Sequence, residues 1–140
     1  MSHSSHSQEI VRVDSKGRIT IPSYMRGELG MQEGSYAAVR INRNDRSLSV
    51  NLFAGARAKL VEMRLMIPDR PGALARAARS LSELKLDLLA SNSRTLKKGD
   101  AAEWVVVADI SEAGRSPEDI RKKVLENRDA TSIEVKELSD

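Results

Sequence analysis

The chain has no cysteine in its 140 residues. A disulfide framework and a thiolate-held metal are therefore both excluded. Histidine occurs twice, at His3 and His6, and both lie in a Ser-rich leader. Residues 1–8 are expected to be a disordered tail or cloning remnant. No apolar run approaches the roughly 18 residues that would span a membrane. There is no signal-peptide pattern, so the chain reads as cytoplasmic. Charge of one sign is also missing: the net charge is +3. Residues 1–55 hold 7 basic and 5 acidic side chains, the remainder 16 and 15. Any nucleic-acid binding must then rest on local clustering and dimer symmetry rather than on bulk charge. No nucleophile–base pairing, zinc-ligand cluster or phosphate-binding glycine loop is present. The expectation is a protein that is not an enzyme, with no catalytic residues, no metal and no cofactor.

What is present begins with Val13-Asp14-Ser15-Lys16-Gly17-Arg18-Ile19-Thr20-Ile21-Pro22. Ile10, Val11 and Val13 favour a strand. Ser15-Lys16-Gly17 is a turn, with Gly17 free to take positive φ. Arg18 to Ile21 alternates polar and apolar as a half-buried strand does, and Pro22 stops it. Ser23 is placed to cap a short helix through Met25 and Leu29, with Gly30 at its end. Tyr36 to Ile41 and Leu48 to Phe53 read as two more strands around a polar turn, Asn42 to Arg46. Four short strands and one helical turn in roughly 45 residues bury too little apolar surface to stand alone, so this piece should dimerise.

This stretch resembles the AbrB/MazE/SpoVT family of small DNA-binding domains. The resemblance implies an all-β swapped-hairpin barrel over residues 9–54, dimeric, with one short helix and a basic face on double-stranded DNA. It also implies a prokaryotic cell. Arg18 and Arg26 match the family's basic positions. Arg12 falls where the first strand commonly ends in a basic residue, and Lys16 in the turn stands in for another. Val11 and Gly27 occupy positions where a second basic residue is common. A guanidinium can pair with phosphate or guanine. The alternative is that these cations are solvated, or paired with Asp14 and Glu28.

Residues 55–59 read as a linker, either loose or helical. Beyond it, Leu60 to Ile67 alternates as a strand. Pro68 to Gly72 is a turn, and Ala73 to Leu84 carries apolar residues at helical spacing. Leu86 to Leu96 is a second strand, Lys97 to Asp100 a hairpin turn, and Glu103 to Ile110 a third strand. Ser116-Pro117-Glu118-Asp119 has the N-cap, first-position proline and first-turn acids of a helix start. Ile133 to Leu138 is a last strand. The order β-α-β-β-α-β is a ferredoxin-like α+β plan. Trp104 is either half-buried core or an interface anchor. The basic clusters Lys97-Lys98 and Arg121-Lys122-Lys123 read as a solvated turn and a solvated helix face, with a second DNA contact as the alternative.

Asp69-Arg70-Pro71-Gly72-Ala73-Leu74-Ala75, between the first strand and helix, resembles the ACT domain, an amino-acid-sensing regulatory module. The resemblance covers residues 60–138. It implies a ligand site at Asp69, Gly72, Ala73, Leu74 and Asn92, lying between paired domains. A helix N-terminus offers free N–H groups to a carboxylate. Gly72 admits a ligand close to the backbone, Asp69 can receive an ammonium group, and Asn92 can add a donor and an acceptor. Leu74 also belongs to the helix's apolar stripe. The alternative is that Asp69 and Pro71 merely start the helix.

Three functions follow. The leading one is a ligand-responsive transcriptional regulator that binds DNA through the first half and senses an amino acid through the second. The others are an antitoxin-like or assembly protein with a protein partner, and a regulatory subunit of an amino-acid biosynthetic enzyme. A homodimer or higher homo-oligomer is expected in the leading case.

Overall fold

The computed structural model describes residues 7–138. Most of the expected leader, with His3 and His6, lies outside the described residues. Contacts between Cα atoms gather in two compact units, Met1–Ala56 and Arg57–Asp140.

The first unit holds one helix, α1 (Ser23–Leu29), and one hairpin, β1 (Tyr36–Asn42) with β2 (Ser47–Ala54). Ser23 does not cap α1. It is the first helical residue, preceded by Pro22, which offers no side-chain cap. Gly30 ends the helix at φ 71°, with its N–H and that of Met31 turned back onto the last helical carbonyls. The segments around Ile10–Val13 and Arg18–Ile21 are not strands. A tight turn joins them instead. Asp14 N–H donates to the Arg18 carbonyl at 3.0 Å, and Gly17 N–H to the Asp14 carbonyl at 3.1 Å, with Gly17 at φ 76°. Neither segment has a further strand beside it to extend the ladder.

The hairpin is strongly two-faced. Residues directly opposite each other share a face. Ala37 faces Leu52, Val39 faces Val50 and Ile41 faces Leu48. Ala38 opposite Asn51, Arg40 opposite Ser49 and Asn42 opposite Ser47 form the other side. One side is therefore wholly aliphatic, the other mostly polar. No described residue in 7–56 is buried.

The second unit runs β3 (Leu60–Pro68), α2 (Ala73–Glu83), β4 (Asp87–Lys97), β5 (Ala101–Asp109), α3 (Pro117–Glu126) and β6 (Ser132–Glu137). The sheet order is β4-β5-β3-β6, and every pairing is antiparallel. This is the ferredoxin-like β-α-β-β-α-β arrangement. Burial alternates along all of β5 and along β3 from Val61 onward, as period-two strands require, while Leu60 at the start of β3 is buried as well. Val61, Met63, Leu65, Val106 and Ala108 face the helices and meet Ala77, Leu81, Ile120 and Val124. Trp104 belongs to this core at 3% exposure. Ser116 caps α3 by accepting from Asp119 N–H at 3.1 Å, with Pro117 at the first turn.

The expected fold class needs correction. An all-β swapped-hairpin barrel domain followed by an α+β domain is not what the chain adopts. The described residues form two antiparallel sheets, of two and four strands, and three helices, so the chain is α+β. Neither sheet closes into a barrel. The physical reason lies in residues 10–21: closing a small barrel needs four paired strands, and these two segments pair with nothing beyond their own turn.

Candidate ligand-binding and DNA-binding residues

The β3–α2 turn is built around Asp69. Its N–H donates to the Asp100 carbonyl at 3.2 Å, and its carboxylate accepts from Gly99 N–H at 2.7 Å. Both contacts reach the β4–β5 turn. Asp69 therefore spends one carboxylate oxygen on tying two turns together. Gly72 precedes α2 at φ 84°, with no side-chain cap on the helix. A Cβ there would meet only the mobile end of the Arg76 side chain, at 3.0 Å, so it is the positive φ that calls for glycine at this position. Ala73 is buried in the core, and Leu74 is 39% exposed.

A hollow of about 180 Å³ opens beside this turn. Asp69, Arg70 and Leu74 line one side, and Ser93, Arg94 and Thr95 of β4 the other. Of the residues expected at a ligand site, Asp69 and Leu74 come together here. Gly72 and Ala73 adjoin it in the chain, one shaping the turn and the other packed below. Asn92 is not among the lining residues. It pairs with Val105, whereas Ser93 pairs with buried Trp104. Successive residues point to opposite faces, so Asn92 and Ser93 are on opposite sides of the sheet. Ser93 and Thr95 are the polar residues that sequence reasoning missed. The alternation along β5 would have found them, but the register shift between Leu88 and Ala90 hides it in β4 itself.

Charge on the other face of this sheet is internally matched. Glu103 accepts from Arg64 at 3.4 Å and from Arg94 at 3.3 Å. The Arg94 head is thus held by Glu103. Arg70 forms no ion pair among the described residues. Burial pushes the Asp109 carboxyl up, yet backbone N–H donors from Ser111 and Lys59 outweigh it and hold the group below its ordinary value.

The cations of the first unit divide in two. Arg18 pairs with Asp14 at 2.8 Å, and Asp14 also accepts from the backbone N–H of Lys16 and Arg18. The Arg18 backbone and side-chain donors, with Lys16, hold the Asp14 carboxyl below its ordinary value. Arg26 donates from Nε to the Ile21 carbonyl at 3.0 Å and forms no ion pair among the described residues. Arg12 and Lys16 are exposed, and among the described residues neither forms one. Tyr24 donates to Glu9 at 2.8 Å, which raises the phenol above its ordinary value.

Among the described residues no group of His, Asp and Glu has the arrangement of a metal site. No helix is long and apolar enough to cross a membrane.

No family model matches the chain. No curated protein matches it either. Among solved structures, it is similar to prephenate dehydratase from Streptococcus mutans, at 17% identity and a TM-score of 0.42. The match covers 92% of this chain and 70% of that one. A likeness this slight leaves the function to be argued from the residues themselves.

Proposed function

We propose that the second unit is an ACT-type regulatory module that binds an amino acid in the hollow beside the β3–α2 turn. The protein would then regulate a biosynthetic enzyme, or another partner, without a catalytic step of its own. The observation that carries this reading is the hollow itself. Asp69 and Arg70 of the β3–α2 turn, with Leu74, form one wall, and Ser93, Arg94 and Thr95 of an open edge strand form the other. Ala73 N–H already donates to the Arg70 carbonyl, so the ligand's carboxylate is assigned to the Leu74 N–H at the start of α2 and to the Arg70 side chain. Ser93 and Thr95 are assigned its remaining polar atoms. Asp69 keeps the turn in place through Gly99 and has one oxygen left for an ammonium group. β4 has a neighbour on one side only, and its free backbone groups suit pairing with a second copy. Such pairing would close the hollow from the open side. The test is a thermal shift of the full chain against each of the twenty amino acids. Binding predicts a raised midpoint with one or a few of them, lost in Thr95→Val or Gly72→Val. No shift with any amino acid would remove the reading.

A second reading, transcriptional regulation through DNA bound by the first unit, is favoured by Arg12, Lys16 and Arg26, which form no ion pair among the described residues. Self-association supports this reading too. The aliphatic hairpin face, with Val39 62% and Ile41 59% exposed, needs a cover, and a second copy supplies a matching one. Anisotropy on duplex DNA across a salt series tests it. Arg12→Ala with Arg26→Ala should weaken binding and flatten its salt dependence.

A further inference from the structure

The other side of the same hairpin carries a different signal. Arg40 lies on the polar face, opposite Ser49. Arg43 and Arg46 lie in the turn that joins β1 to β2. Among the described residues none of the three forms an ion pair. One carboxylate is near in sequence, that of Asp45, and it is engaged. Asn42 Nδ2 donates to it at 3.0 Å, while Asp45 N–H donates back to Asn42 Oδ1 at 3.2 Å. This reciprocal pair ties Asp45 to Asn42 across the turn.

Arg46 is held at φ 54°. Glycine or asparagine occupies that left-handed region with less strain. Replacing Arg46 by glycine would therefore remove the guanidinium without straining the turn. The polar face continues the pattern. Asn42, Ser47, Ser49 and Asn51 flank Arg40, and no carboxylate lies on it. Guanidinium, hydroxyl and amide groups without acids are the side chains that contact phosphate and sugar oxygens. A two-stranded ribbon also has the width to enter a major groove.

We infer that the β1–β2 turn, through Arg43 and Arg46 with Arg40 behind them, is a phosphate-contacting tip for duplex DNA. This rests on the DNA-binding reading and adds to it a contact separate from Arg12, Lys16 and Arg26. Each arginine pairs with a phosphate oxygen, while Arg43 and Arg46 also border a hollow with Ile41 and Leu48 at the end of the apolar face.

The experiment measures anisotropy of the full chain on a 20-base-pair duplex of random sequence through a potassium chloride series. It compares wild type, Arg43→Ala/Arg46→Ala and Arg46→Gly, with anionic vesicles and polyglutamate as competitors. Losing two phosphate contacts should flatten the slope of log affinity against log salt by about 1.8. Arg46→Gly should weaken binding while raising the thermal midpoint, because glycine relieves the left-handed backbone. A variant that unfolds cannot give that combination. Wild-type slope and affinity in the turn variants would overturn the inference and leave the DNA reading standing. Absence of salt-steep binding by the wild type would remove both. Displacement by vesicles or polyglutamate at the same charge concentration as by DNA would also overturn it, assigning the tip to a different polyanion.

Discussion

The two units spend their aliphatic side chains in opposite ways. In residues 57–138, β3 and β5 alternate so that Val61, Met63, Leu65 and Val106 are fully buried beneath α2 and α3. In residues 7–56, Val39, Val50, Ile41 and Leu48 alternate just as regularly, yet all four face solvent. The pattern along each strand is equally good. What differs is the presence of a second layer. The ferredoxin-like unit supplies two helices to cover its sheet. The hairpin has only α1, which buries nothing. Periodicity thus reports which face wants to be covered, not what covers it. A two-stranded hairpin with an open aliphatic face is marginal in water, so its stability should depend on protein concentration more steeply than that of the second unit, which has a closed core of its own.

The sharpest break in this comparison is Trp104→Ala. Removing the one tryptophan from a closed core should cost about 3–5 kcal/mol, read as a lowered urea midpoint. An equivalent truncation on the hairpin, Leu48→Ala, should do little at low concentration. The converse variant is Ile41→Asp with Val50→Asp. It should halve the mass seen by analytical ultracentrifugation if the aliphatic face pairs with a second copy, and leave the core's unfolding transition where it was. Smaller effects probe the ends of elements. Ser116→Ala removes the α3 cap and should cost about 1 kcal/mol by chemical denaturation. Lys85 sits at φ 63° just past α2, and Lys85→Gly should stabilise by up to about 1 kcal/mol in the same assay.

The smallest effect is on pH dependence. Asp109 has its folded pKa below the ordinary 3.8 because Ser111 and Lys59 donate to it. A depressed carboxyl stabilises above its unfolded value, and the contribution is lost as pH falls through the folded one. Below about pH 3.8 the wild type should therefore lose this advantage. Asp109→Asn should show a shallower acid limb in a pH series of thermal midpoints.

The second unit was legible because its signals agree with one another. Alternation at Leu60–Ile67, a Ser-Pro-Glu-Asp helix start and a glycine at the β3–α2 turn each admit one local structure, and the sheet then accommodates all of them. The ligand wall was less legible. Asn92 was the expected contact, but the bulge between Leu88 and Ala90 turns Ser93 and Thr95 to the hollow instead. One inserted residue reverses the side on which every later residue lies. The role of Asp69 was hidden for another reason: its partner, Gly99, is thirty residues away, and a turn signal does not say which distant residue the turn will meet. In the first unit, Ile10–Val13 and Arg18–Ile21 have the composition of strands. Composition favours an extended chain but cannot supply a neighbour to pair with. That gap is also why the expected barrel is not present.

Two-dimensional amide NMR of the full chain, titrated with the amino acid that gives the largest thermal shift, tests the regulatory reading most directly. Ligand in the hollow predicts saturable shifts concentrated at Arg70, Gly72, Leu74, Ser93 and Thr95, with Asn92 much less affected. Shifts confined to other residues, or none at saturating amino acid, would contradict it.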